Sequence, residues 1–89
     1  MKNSPDVTER RIAANVRKIR EYRNYTQEYL AARLRISQNA YSKIELGQTK
    51  ITVGRLFHIA DILEATPEDI IANDDIGLLR TINSNSASA

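Results

Sequence analysis

Apolar residues recur three or four positions apart along most of this chain, the spacing that places them on one face of an α-helix. Five segments show this pattern, and each begins at a residue that favours a helix N-terminus: Ser4 or Thr8, then Thr26, Ser37, Thr52 and Thr66. The inward positions that the pattern predicts are Ile12, Val16, Ile19, Leu30, Ala31, Leu34, Tyr41, Ile44, Leu56, Ile59, Ala60 and Leu63. No segment alternates as a strand would, so the prediction is a compact, all-α fold of five helices.

The helical pattern weakens after Asn73, and this point divides the chain. Residues 1–73 are predicted to form one domain, in which a tight turn joins two short helices within residues 26–47. Residues 74–89 are a short C-terminal extension, where Ile76, Leu79 and Ile82 would share one side of one or two helical turns. Residues 83–89 are small and polar, so we expect a flexible tail.

The second helix of the 26–47 segment carries polar side chains opposite its apolar face: Gln38, Asn39, Ser42 and Lys43. Gln and Asn can form paired hydrogen bonds with adenine in the major groove, and Lys can bind guanine. The segment is therefore a candidate helix-turn-helix, whose second helix enters the major groove by its N-terminal end. These four residues are the predicted base contacts.

Further polar residues lie where a DNA backbone would pass. Gln27 is at the N-terminus of the preceding helix, where exposed backbone N–H groups favour phosphate. The loop Gln48-Thr49-Lys50 is polar and basic, and it can hold another phosphate.

The charge of the chain is unevenly distributed. Its 89 residues carry a net charge of only +2, but residues 1–55 hold 12 Lys and Arg against 5 Asp and Glu, and residues 56–89 hold 1 against 6. A basic N-terminal part beside an acidic C-terminal part indicates that one face meets a polyanion. Solvated helix faces alone would also account for this distribution.

Several classes of protein are excluded or disfavoured by composition. The chain has no cysteine and a single histidine, His58, so disulfides, cysteine-bound zinc and a multi-histidine metal site are excluded. No nucleophile–base set and no phosphate-binding glycine loop points to an enzyme, so we predict neither catalysis nor a cofactor. No apolar run is long enough to span a membrane, and the N-terminus lacks the apolar stretch of a secretory signal. A cytoplasmic protein is the expectation.

The stretch from residue 10 to about residue 72 resembles the Cro/C1-type helix-turn-helix proteins, also called the XRE family. The resemblance rests on Thr26-Gln27-Glu28 with Leu30-Ala31, and on Tyr41-Ser42-Lys43-Ile44-Glu45 followed by Gly47. It implies a five-helix, lambda-repressor-like fold with the third helix in the major groove. It also implies base contacts by the four residues named above, and phosphate contacts by Gln27, Arg20, Tyr25 and Lys50.

The same resemblance implies that Arg20 pairs with Glu45 and fixes the first helix to the third, although a surface ion pair worth under about 1 kcal/mol is the alternative. Two residues depart from the family pattern. Arg35 stands in the turn where Gly is common, and a left-handed conformation would cost Arg about 1–2 kcal/mol, so we expect a slightly different turn. Leu46 replaces a common Arg or Asn, which removes one phosphate contact.

Two functions from different classes follow. The first is a transcriptional regulator that binds palindromic double-stranded DNA as a homodimer, because one helix reads few base pairs. Its predicted dimer interface consists of Ile70, Ile71, Ile76, Leu79 and Ile82. The alternative is an antitoxin or adaptor that uses the same fold to hold a partner protein, and a neighbouring toxin gene would favour it.

Overall fold

A computed structural model describes residues 5–72, with side chains from residue 9 onward. Its helices are α1 (Pro5–Tyr22), α2 (Gln27–Leu34), α3 (Gln38–Glu45), α4 (Val53–Leu63) and α5 (Pro67–Ala72). The predicted all-α, five-helix fold is confirmed, and none of these helices is long and apolar enough to cross a membrane. The C-terminal extension, with Ile76, Leu79 and Ile82, lies outside the described residues.

A hydroxyl side chain caps the N-terminus of every helix from α2 to α5. The side chains of Thr26, Ser37, Thr52 and Thr66 each accept a hydrogen bond from the backbone N–H three residues later, at 3.0–3.1 Å. At α5 the contact is reciprocal, because the Thr66 N–H donates to the Asp69 carboxylate at 3.4 Å. These four predicted helix starts are confirmed, and each bond satisfies an N–H group that has no partner within the helix.

The first four helices all end in the same way, with one residue in the left-handed conformation: Asn24, Arg35, Gly47 and Glu64, at φ between 59° and 75°. At each end this residue donates its N–H to the carbonyl three positions earlier, and the next residue donates to the carbonyl five positions earlier. This is the Schellman motif, which satisfies carbonyls at the end of a helix. Arg35 adopts the left-handed conformation directly, so the expected departure in the turn does not occur.

The core lies where α1 meets α3, α4 and α5, with α2 packed on α3 and α4. The predicted inward positions are buried, except that Ile12 is partly buried at the edge of the core. The pattern did not predict five further buried residues: Ala13, Asn15, Glu45, Ile62 and Ile70. Asn15 has a positioning role, because its Nδ2 donates to the backbone oxygen of Ile70 at 2.6 Å and ties α1 to α5.

The position of Ile70 corrects one predicted role. Its side chain is 0% exposed and belongs to the core of a single chain, so Ile70 cannot also lie on a dimer surface. Its neighbour Ile71 is exposed. Because Ile70 faces inward, Ile71 is the one isoleucine of α5 that is exposed to solvent.

Replacing Arg35 with Gly should stabilise the domain. The change removes about 1–2 kcal/mol of strain from the left-handed backbone of the folded state. The greater conformational freedom of Gly in the unfolded chain lowers the free energy of unfolding by about 0.4–1 kcal/mol and so offsets part of this gain. We expect urea unfolding to show a net gain of about 0.5–1 kcal/mol. The matched control Ala32→Gly, inside α2, should lose about 1 kcal/mol. An Arg35→Gly protein no more stable than the parent would contradict the assignment of strain to this residue.

Candidate nucleic-acid interface

The α2–α3 segment is a compact pair of helices joined by Arg35, Ile36 and Ser37. The N–H of Ile36 donates to the carbonyl of Ala31 at 3.0 Å, and the Ile36 side chain packs against the core. Ser37 then starts α3 through its hydroxyl. Ala31 is buried, and its small side chain suits the close packing between α2 and α3. The turn therefore fixes α3 to α2 both through the backbone and through the core.

The two sides of α3 differ in chemistry. Tyr41, Ile44 and Glu45 are buried. The predicted base contacts occupy the opposite side, since positions 38, 39, 42 and 43 fall on one face of a helix. Of these, Gln38, Asn39 and Lys43 are exposed and Ser42 is half-buried. The structure thus brings the four residues together on an outward polar face of α3, with Gln38 and Asn39 in its first turn and Lys43 in its last.

The carboxylate of Glu45 joins three helices. Arg20 of α1 donates to it twice, from Nε to Oε2 at 2.6 Å and from Nη2 to Oε1 at 3.1 Å. Gln27 of α2 donates from Nε2 to Oε1 at 3.1 Å, and the Tyr41 hydroxyl donates to Oε2 at 2.5 Å. The Arg20 and Glu45 side chains are only 11% and 2% exposed, so this is a buried network and not a surface ion pair.

The network sets the charge state of its members. Burial by itself raises the pKa of Glu45, but hydrogen bonds from Arg20, Tyr41 and Gln27 outweigh it, and the pKa lies below its usual value. The hydrogen bond to Glu45 raises the pKa of Arg20. Burial first, and then the hydrogen bond to Glu45, raises the pKa of Tyr41 well above its usual range. At neutral pH the site therefore holds a carboxylate, a guanidinium and a neutral phenol.

The residues that the sequence associated with phosphate differ in how accessible they are. Arg20 donates to Glu45 and, from Nη1, to the Tyr25 carbonyl at 2.8 Å, so it has a structural role and is not available to reach a phosphate. The Tyr25 hydroxyl donates to Glu64 at 3.2 Å, and burial raises its pKa. Gln27 is half-buried against Glu45, whereas Lys50 is exposed.

Two features of the site were missed from the sequence. The first is the part that Gln27 and the Tyr41 hydroxyl play in binding Glu45. The second is Arg10 of α1, whose Cγ lies 3.4 Å from where a Cβ on Gly47 would be. Arg10 therefore adds an exposed cation beside the loop that contains Lys50. In the sequence, only the position of Arg10 on the polar side of α1 points to this role.

Tyr25, just before α2, and Tyr29 and Arg33 of α2 form a row of contacting side chains. The rings of Tyr25 and Tyr29 lie 4.8 Å apart, and the Arg33 guanidinium lies over the Tyr29 ring at 5.7 Å. Arg33 also donates to the Tyr29 hydroxyl at 2.7 Å, so this hydroxyl is already engaged within the protein. Within residues 9–72 no group of acidic or histidine side chains is arranged to hold a metal ion.

The arrangement of α2, a short turn and α3 is that of a helix-turn-helix. In comparison with known families, the family model described as helix-turn-helix matches residues 16–70. The chain belongs to this family, in its Cro/C1 or XRE type, and the resemblance noted from the sequence is confirmed. Neither the curated proteins nor the solved structures gave a match. The family supports the function of a DNA-binding regulator.

Replacing Glu45 with Gln should destabilise the domain by about 3 kcal/mol at neutral pH, because Arg20 would be left buried without its counter-charge. The folded-state pKa of Glu45 is below its ordinary value of 4.5, so its contribution is complete above that pH and is lost as the pH falls further. Unfolding by urea between pH 3 and pH 7, roughly the range over which a carboxylate titrates, should therefore show the two proteins converging in acid.

The control for this comparison is Glu21→Gln. Glu21 pairs with Arg17 on α1, but those side chains are 48% and 59% exposed, so the loss should stay below about 1 kcal/mol. Equal losses of unfolding free energy in the Glu21 and Glu45 variants would show that the buried network stabilises the domain no more than an exposed ion pair does.

Proposed function

We propose that this protein is a sequence-specific regulator of transcription that binds double-stranded DNA with α3 in the major groove. The observation that supports this most is the outward face of α3, where Gln38, Asn39 and Lys43 are exposed, while the buried Glu45 of the same helix accepts hydrogen bonds from α1 and α2. A rigid reading face binds DNA without first being ordered, which lowers the cost of recognition.

The chemistry of the face indicates how bases are read. Gln38 and Asn39 are in the first turn of α3, the end that enters the groove in this motif. Their amides match the donor and acceptor pair on the major-groove edge of adenine, and Lys43 suits the acceptors of guanine. Ser42 lies between them and is half-buried. Because its side chain is small, it permits close approach of the helix to the bases.

Phosphate contacts would flank this face. Lys50 and Arg10 lie in and beside the loop after α3, and Arg35 is exposed in the turn before it. Gln27 keeps one amide N–H and its oxygen beyond the bond to Glu45, so it can also reach the backbone. Such contacts fix the position of the protein on the duplex without reading its sequence.

The regulator acts as a dimer in this proposal. A single α3 reads only a few base pairs, which gives little discrimination against a genome. Two copies related by a two-fold axis would read two half-sites about 34 Å apart, one turn of DNA, or at a multiple of that distance.

Selection of duplexes from a random pool, at near-physiological salt where general binding is weak, tests this function. The expected result is an enriched motif with two-fold symmetry. Salt-sensitive binding with no enriched motif would contradict the proposal and leave recognition of a protein partner as the remaining function for this fold.

Two variants then distinguish residues that recognise bases from residues that bind the phosphate backbone of the selected duplex. Gln38→Ala should cost about 1–3 kcal/mol on that duplex and little on a scrambled one, whereas Lys50→Ala should weaken both. Lys50→Ala should also make the fall of log affinity with log salt concentration less steep, by about 1 in the slope. Equal losses on both duplexes for Gln38→Ala would remove this residue from base reading, and an unchanged slope would remove Lys50 from phosphate binding.

A further inference from the structure

Leu46 is an apolar residue at the end of α3, and it is 60% exposed. It is the C-cap of the helix, but its backbone is still right-handed, at φ −83° and ψ −4°. Its N–H donates to the carbonyl of Ser42, four positions earlier, at 3.0 Å. The helical geometry of α3 therefore extends through Leu46 and ends at Gly47, whose φ is +75°.

Leu46 lies on the same face of α3 as the proposed base contacts. It follows Asn39, Ser42 and Lys43 by seven, four and three positions, and residues at these spacings share one side of a helix. The buried residues of α3 lie on the side that faces the core. Leu46 is thus an outward apolar group on a face that is otherwise polar, and packing of the core does not account for it.

The chemistry of leucine restricts what this side chain can contact in a DNA groove. Leucine has no polar atom, so it can neither bind a phosphate oxygen nor form a hydrogen bond with a base edge. The apolar group that a base presents in the major groove is the 5-methyl group of thymine, which apolar side chains contact. The same methyl group is present at the same ring position of 5-methylcytosine. A single exposed leucine is ordinary on a protein surface, but Leu46 stands beside the side chains that face the bases.

We propose that Leu46 is a specificity-determining residue that contacts the 5-methyl group of a pyrimidine in the major groove. This inference rests on the proposed function, since it needs α3 in that groove, and it adds a base that hydrogen bonds alone would not distinguish. Gln38 and Leu46 are eight positions apart, about 12 Å along the helix axis. The methyl-bearing base is therefore not the base that Gln38 reads.

Thymine and uracil differ only in the 5-methyl group, so exchanging them tests the contact. On the duplex selected by the parent protein, each thymine of one half-site is replaced singly by uracil, and the dissociation constant is measured by fluorescence anisotropy at fixed salt. The parent should bind about fourfold more weakly after replacement of one particular thymine, the loss expected when one buried methyl group is removed. Leu46→Ala should bind the unmodified duplex more weakly than the parent and show no further loss with uracil.

Exchanging cytosine for 5-methylcytosine distinguishes the two sources of the methyl group. If methylated cytosine is the partner, 5-methylcytosine at one position of the half-site should strengthen parent binding about fourfold over cytosine, and no thymine should respond to uracil. Leu46→Ala should then remove that gain.

Two control variants accompany both exchanges. Leu46→Met keeps an apolar side chain of similar volume and should retain the methyl effect. Ile71→Ala shortens another exposed apolar side chain, on α5, and should leave the ratio between methylated and unmethylated duplexes unchanged. Leu46 lies outside the core cluster, so its variants should remain folded, which thermal unfolding checks.

Two results would overturn the inference. The first is a half-site in which no methyl group on thymine or cytosine changes the binding of the parent. The second is a methyl effect of equal size in the parent and in Leu46→Ala, because another side chain would then be responsible. Both can occur with a parent that binds its selected duplex well, and they leave the proposed function intact. If the parent selects no motif, the proposed function fails and this inference fails with it.

Discussion

The carboxylate of Glu45 is the point at which α1, α2 and α3 are fixed to one another. It accepts four hydrogen bonds, two from Arg20 and one each from Gln27 and Tyr41. A buried charge is costly unless its partners are all in place, so the network favours one arrangement of the helices over slightly displaced ones. The polar face of α3 therefore has one orientation relative to the rest of the domain, which is what a reader of base edges requires.

The helix ends complete this framework. Four Schellman motifs set the directions in which the chain leaves α1, α2, α3 and α4, yet only one of the four left-handed residues is a glycine. The domain thus retains strain at Arg35 that a glycine would relieve. Arg35 also gives the turn an exposed cation directly before the first residues of α3.

Features set by neighbouring residues could be predicted from spacing alone, whereas the contact of Arg20 with the distant Glu45 could be predicted only from the family resemblance. The caps at Thr26, Ser37, Thr52 and Thr66 are local chemistry, and the inward stripes follow from helical spacing. The six residues of α5 are too few for periodicity to decide which of Ile70 and Ile71 faces inward. The bond from Gln27 to Glu45 spans 18 positions, and no spacing rule reveals it. The left-handed Arg35 shows tertiary packing prevailing over a backbone preference.

If the outward face of α3 reads base sequence, exchanging one side chain on that face should change the sequence that the protein binds. Duplex selection with a Gln38→Arg protein, run beside the parent, should change the preferred base at one position in each half-site toward guanine, the partner that Arg favours. The remaining positions and the spacing of the half-sites should stay the same. The same motif from both proteins would contradict the account, because Gln38 would then lie away from the bases.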